Sequence, residues 1–421
     1  MNRRFVALLG PALLLGLLGL SGSAQATERT WHFDQARIPG AHAMGYYGRG
    51  VTVAVIDTWV DRGHGSLKGH VLPGADCSGS PCRSVAAPAD QCKHGTHVAG
   101  TVVSQHYGVA PQATVLPIRV LKWNASAGTC TGNSTDAAAA IRYAINHGAR
   151  VINLSLGGES ALITQAPDMT NAIREASNAG IVVVIAAGNS DKPLNAQYGD
   201  TALVVAATNN RAQLTSYTER GSGIDVAAPG GDAAGGGDDC SQATCVASTW
   251  PRDKDGDAYA AMAGTSMAAP HVSGLAALLI AQSPSRGRAD VLSTIKGTAR
   301  ALAEAGAGLI DATAALKKRH VAPKPTPKPT LTTTSPRPQP TRTTAAPTPS
   351  RSATPSPTAT ASPSATPTVT ASPSESPSAE PTVAVADPGP AGENRTVPVG
   401  VAAGLVAVLT AALLLTRQRA S

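Results

Sequence analysis

Aromatic side chains are scarce: four Trp, seven Tyr and two Phe make up 3% of the 421 residues. Basic residues exceed acidic ones, 34 to 27, for a net charge of +7, but they are scattered and have no aromatic interleaving. A nucleic-acid surface gathers its positive charge on one face beside stacking rings, so that class of function is excluded. Close Cys/His pairs at metal-coordination spacing are also missing. Cys77-x4-Cys82 and Cys240-x4-Cys245 are too loose and too far apart for a zinc site. The acidic run at 253–257 lacks the ligand spacing and downstream bidentate Glu of an EF-hand loop, and reads as a solvated turn. No metal and no cofactor is expected.

Other absences divide the chain. Residues 321–396 hold almost nothing apolar. They are largely Pro, Thr, Ser and Ala, which cannot build a core, and they read as an extended, disordered stalk. Residues 397–416 hold no charge and are long enough to span a bilayer, with Arg417 and Arg419 directly after them. By the positive-inside rule, 417–421 is a short cytoplasmic tail and everything before 397 lies outside the membrane. At the other end, Arg3 and Arg4 precede an apolar stretch closed by Ala24-Gln25-Ala26, the pattern of a signal peptide over 1–26. The expected location is a single-pass cell-membrane protein with its globular part extracellular.

That part is residues 27–320. Nearly all-apolar runs at 51–57, 114–120, 151–155, 181–186 and 202–207 read as buried parallel strands. Helical patterns at 134–147, capped by Ser134 or Thr135, and at 170–179 alternate with them, each followed by Gly. Strand–helix–strand order implies an α/β fold, a mainly parallel sheet with helices on both faces and ligands at the carboxyl ends of its strands. Six cysteines, all between Cys77 and Cys245, suit disulfides in an exported domain, with fifteen connectivities open.

Three segments carry chemistry. Val55-Ile56-Asp57-Thr58 places a carboxylate at a strand end. His94-Gly95-Thr96-His97-Val98-Ala99-Gly100 offers a base. Gly264-Thr265-Ser266-Met267-Ala268-Ala269-Pro270 puts a hydroxyl at the start of a helix running to Ile280. Acyl transfer needs these three parts: a serine nucleophile, a histidine to take its proton, and a carboxylate to orient the imidazole. The helix start favours the developing oxyanion. Singly, Asp57 reads equally as a strand-end cap, His94 as a core histidine and Ser266 as a helix cap.

The order Asp, His, Ser and the segments Gly108-Val109-Ala110-Pro111, Asn153-Leu154-Ser155-Leu156-Gly157-Gly158 and Ala186-Ala187-Gly188-Asn189 resemble the subtilases, the subtilisin-like serine peptidases of family S8. The resemblance covers nearly the whole globular part. It implies a three-layer α/β/α fold and a serine endopeptidase acting on protein or peptide substrates. Asn189 is then the oxyanion donor. Ser155, Leu156 and Gly157 line the cleft as a strand for substrate, and Ala186, Ala187 and Gly188 wall the primary specificity pocket. His97 and His271 are structural. Some exported enzymes that this chain resembles bridge the positions of Cys92 and Cys130, and the resemblance then implies local pairing of Cys77 with Cys82 and Cys240 with Cys245. The departure is Trp59, where the family has Gly. A short N-terminal region, a Pro-rich stalk and a C-terminal span further resemble the mycosins, which implies membrane components of type VII secretion as partners. The rival function is a scaffold component of such an assembly.

Overall fold

The computed structural model describes residues 30–320, apart from 86–90, 157–165, 196–197 and 234–239, together with 382–385. The expected leader at 1–26, the span at 397–416, the tail at 417–421, most of the stalk and Gly157 lie outside the described residues. Among the described residues no helix is long and apolar enough to cross a membrane.

Seven parallel strands form the central sheet: β1 (Thr52–Asp57), β2 (Ala75–Asp76), β3 (Thr114–Arg119), β6 (Val151–Leu154), β7 (Val182–Ala186), β8 (Leu203–Thr208) and β9 (Val226–Pro229), in the order β2-β3-β1-β6-β7-β8-β9. The five apolar runs correspond to β1, β3, β6, β7 and β8 to within a residue or two. β2 and β9 are too short to stand out as runs. The hairpin β4 (Lys122–Asn124) and β5 (Thr129–Asn133) follows β3. A second hairpin, β10 (Val246–Asp253) and β11 (Gly256–Met262), leads into the nucleophile segment and turns through the acidic run.

Strand side chains alternate between two cores, as a period of two requires. Val53, Val55, Val182, Val184, Leu203 and Val205 face one side. There they meet helices α3 (His94–Val103) and α6 (Thr265–Gln282). Ala54, Ile56, Leu116, Ile118, Ile152, Val183 and Ile185 face the other. Helices α4 (Ser134–Asn146) and α5 (Pro167–Asn178) cover that side. This is the three-layer α/β/α arrangement. α4 begins where expected, but its cap is Asn133, whose side chain accepts from the Asp136 amide at 2.7 Å. α5 starts three residues earlier than its pattern, with Pro167 in the first turn. Two short helices, α1 (Trp31–Gln35) and α2 (Ile38–Ala43), precede the sheet and pack on its first core.

All six cysteines are paired, as Cys77–Cys82, Cys92–Cys130 and Cys240–Cys245. Cys130 lies on strand β5. Among the described residues no group of three or more His, Cys, Asp or Glu is placed to hold a metal ion.

Candidate active site

β1 delivers Asp57 to the carboxyl edge of the sheet, fully buried. A buried carboxylate must have its oxygens occupied. The Thr58 amide donates to Oδ1 at 2.6 Å, and His94 Nδ1 lies 2.9 Å from both Oδ1 and Oδ2. The carboxylate therefore receives Nδ1–H and fixes the proton there, which leaves Nε2 as the basic nitrogen. Helix α3 begins at His94 itself, and its second amide, Gly95 N–H, donates to Thr58 Oγ1 at 2.7 Å. Thr58 thus serves both sides, holding Asp57 through its amide and satisfying a free helix-start donor through its hydroxyl. The approach needs Gly95. A Cβ there would come within 2.6 Å of the Thr58 carbonyl oxygen and 3.0 Å of that of Trp59.

Ser266 is the second residue of α6, 5% exposed. Its Oγ donates to the Ser155 carbonyl at 3.4 Å, and Ser155 Oγ donates back to the Ser266 carbonyl at 2.8 Å. The second bond has a local cause. The Ser266 carbonyl would ordinarily accept from the amide four residues on, and that residue is Pro270, which has none. Ser155 supplies the missing donor. Asn153 Nδ2 in turn donates to Ser155 Oγ at 2.9 Å, and Ser273 Oγ donates to Asn153 Oδ1 at 2.8 Å. This buried chain ties the end of β6 to α6. The side chains of Ser155 and Leu156 both point into the interior, so what this segment offers a substrate is backbone.

β7 ends at Ala186, and Ala187, Gly188 and Asn189 continue from it. The two alanines are each 5% exposed, and Gly188 has φ +120°. Glu219 packs against that glycine, so that a Cβ at Gly188 would lie 2.7 Å from its Cγ. Asn189 is exposed. Its Oδ1 accepts from both the amide and the hydroxyl of Thr265, each at 2.9 Å. With the oxygen held twice, Nδ2 is left beside the start of α6, next to Gly264. Gly264, immediately before the helix, keeps the neighbouring space clear, since a Cβ there would stand 3.4 Å from Nδ2. Thr265 Oγ1 also accepts from the buried Gly188 amide at 3.1 Å. It locks Gly188 and Asn189 to the start of α6.

Every described candidate thus sits at the carboxyl ends of β1, β6 and β7 or at the helix starts facing them. Sequence reasoning missed Thr58, Asn153, Thr265 and Ser273. The spacing signal for Thr265 was available, as the residue directly before Ser266. Trp59 is only 7% exposed, and it is not among the non-glycine residues with positive φ. The turn after Asp57 therefore needs no glycine, and the indole is accommodated in the interior.

His97 and His271 are fully buried and bonded to backbone. His97 Nε2 donates to the Val246 carbonyl at 3.0 Å, and His271 Nδ1 to that of Met267 at 2.8 Å. His271 Nε2 is then the acceptor for His32 Nδ1, at 2.9 Å. Burial pushes His97 down to about 3 and His271 to about 4. His32 is held well below its ordinary value by burial first and then by the two neighbouring histidines.

Comparison with known proteins agrees with this geometry. The profile described as "Subtilase family" matches residues 48–319. Subtilisin Savinase of Lederbergia lenta is 34% identical over 299 residues, covering 68% of this chain and 98% of that protein. Subtilisin E of Bacillus subtilis (strain 168) is 35% identical over 297 residues, covering 67% of this chain and 70% of the relative. Among solved structures, a protease from Pseudoalteromonas arctica PAMC 21717 superposes with a TM-score of 0.60 at 32% identity, covering 68% of this chain and 96% of the other.

Proposed function

Because this chain belongs to the subtilase family and is a serine endopeptidase, we propose that it hydrolyses peptide bonds through Ser266, His94 and Asp57, with Asn189 at the oxyanion. The observation that carries the assignment is the Asp57–His94 pair. Two 2.9 Å contacts to a fully buried carboxylate leave the imidazole one orientation and one tautomer. Ser266 Oγ attacks the scissile carbonyl and passes its proton to His94 Nε2. The imidazolium formed is stabilised by Asp57 and returns the proton to the leaving amine. An acyl-enzyme remains on Ser266 until water, deprotonated by the same histidine, releases it. Asn189 Nδ2 and the amides at the start of α6 bear the oxyanion in both tetrahedral intermediates. The backbone at 155–157 pairs with the substrate strand, and Ala186, Ala187 and Gly188 form the wall of the primary pocket.

The reading extends to location. A signal peptide at 1–26 directs export, and residues 397–416 anchor the chain with the catalytic domain outside. The mycosin-like combination of a Pro-rich segment and an uncharged span at 397–416 supports membrane components of a type VII secretion system as partners. One experiment tests chemistry and place together. A membrane-impermeant fluorophosphonate applied to intact cells should label a band that sediments with membranes and is absent in Ser266→Ala. Equal labelling of the Ser266→Ala variant would refute the nucleophile. Labelling only after lysis, or in the soluble fraction, would refute the location.

A further inference from the structure

One stretch of the expected stalk forms regular structure. Residues Thr382–Val385, here β12, pair antiparallel with β5, in the register Thr382 to Asn133, Val383 to Gly132, Ala384 to Thr131 and Val385 to Cys130. They belong to the same compact unit as the catalytic domain, across an interval of some sixty residues from His320. The sequence agrees with the pairing. Thr382-Val383-Ala384-Val385 is a short run rich in strand-forming residues, bounded by Pro381 and Pro388 within a Pro- and Ser-rich tail. The surface agrees too. A two-stranded hairpin is marginal by itself, and without β12 the strand β5 would be the edge of the β4–β5 ribbon.

From this we infer that β5 is a docking edge for the chain's own C-terminal segment, and that Thr382–Val385 is its occupant. Two consequences follow. β5 carries Cys130, whose disulfide to Cys92 ends two residues before His94, so the docked strand backs the segment that holds the base. The docking also changes what the Pro-rich segment does. Both of its ends are tied to one domain, so it does not act as a spacer. If 397–416 is the anchor, the tether is 386–396, eleven residues reaching about 40 Å at full extension. A stalk running from 321 to 396 would reach roughly 230 Å. The tether length rests on the anchor reading; the docking does not.

Hydrogen exchange on the full-length chain decides it. Val383→Pro/Ala384→Pro removes both central N–H groups, so it removes whichever one faces β5. Val369→Pro, elsewhere in the tail, is the control. In the parent and the control, peptides covering Thr129–Asn133 should exchange at least ~10-fold more slowly than in the double-proline variant. Equal exchange in all three would overturn the docking. A photo-cross-linking p-benzoylphenylalanine at position 384 should insert within 122–133 of the same molecule. Insertion elsewhere, or into a second copy, would overturn the intramolecular assignment. Neither readout depends on a membrane, so failure of the docking is distinguishable from failure of the anchor.

Discussion

Replacing Asn189 by Leu isolates the oxyanion donor from the architecture around it. The side chain keeps about the same volume at an exposed position. It loses Nδ2, the group facing the space beside Gly264, and Oδ1, which accepts from the Thr265 amide and hydroxyl. A preorganised donor of this kind is worth ~2.7–4 kcal/mol of barrier, so kcat should fall by about 10²–10³. The oxyanion exists only on the reaction path, so KM should change little. Stability should also fall, by ~1–3 kcal/mol, since the Thr265 amide and hydroxyl, on a residue only 1% exposed, lose their acceptor. Thr265→Val is the matched perturbation. It leaves Nδ2 in place and one of the two bonds to Oδ1, and it strands the buried Gly188 amide. Its kcat should drop only about tenfold, with a stability cost in the same ~1–3 kcal/mol range. The two variants should therefore differ by about tenfold or more in kcat while their denaturant midpoints fall by similar amounts. Steady-state kinetics on a peptide substrate and urea titration measure both. An unchanged kcat in Asn189→Leu, or a loss lying wholly in KM, would refute the assignment.

Acidification should destabilise the fold through its histidines. His97 and His271 titrate near 3 and 4 in the folded state against an ordinary value of 6.5. The unfolded chain therefore binds their protons first, and stability is full above pH ~6.5 and falls below it. Between pH 7 and 5 the loss is about 2 kcal/mol for each. Calorimetry should show Tm falling by roughly 6 °C from this pair, and a flat Tm over that range would contradict their neutral burial. Opening Cys92–Cys130, which closes a separation of 38 residues, should cost about 4 kcal/mol on the chain-entropy model. Activity under mild reductant should decline before the circular dichroism signal does; loss of both together would count against a local role beside His94. Gly95→Ala meets backbone oxygens of residues 58 and 59 that cannot swing aside. It should displace His94 from Asp57 and lower kcat by at least ~10², while Gly287→Ala, with open space around its Cβ position, should be neutral. Parent-like activity in Gly95→Ala would show that α3 has slack.

Much of the molecule was legible because its signals are local. Five of the seven sheet strands are nearly all-apolar runs, since a strand buried on both faces holds few polar residues and only where they find partners, as Asp57 and Asn153 do. β2 is only two residues long, and the apolar part of β9 is cut to three residues by Asp225 before it and Pro229 at its end, so both escape a pattern search. α5 was placed late because its first turn is Pro167-Asp168-Met169, whose apolar spacing does not yet repeat. The motif segments singled out Asp57, His94, Ser266 and Asn189, which the fold gathers at the sheet's carboxyl edge, and the family resemblance selected one disulfide connectivity from fifteen, the one the fold contains.

What the sequence by itself determined was composition-driven: which stretches can build a core, which residue types are present for acyl transfer, and the order in which they occur. Tertiary structure alone decided how those residues are held. It put Thr58 across from Gly95, and Thr265 between Asn189 and Gly188. It gave the carbonyl left open by Pro270 to Ser155, 111 residues away. It turned the Trp59 indole into the interior, and it returned Thr382–Val385 to the edge of β5. These contacts join segments remote in the chain, and a hydrogen bond carries no trace in the local pattern of either partner. Periodicity reports only which face of an element is buried. The partner it is buried against is set by the packing of the whole domain.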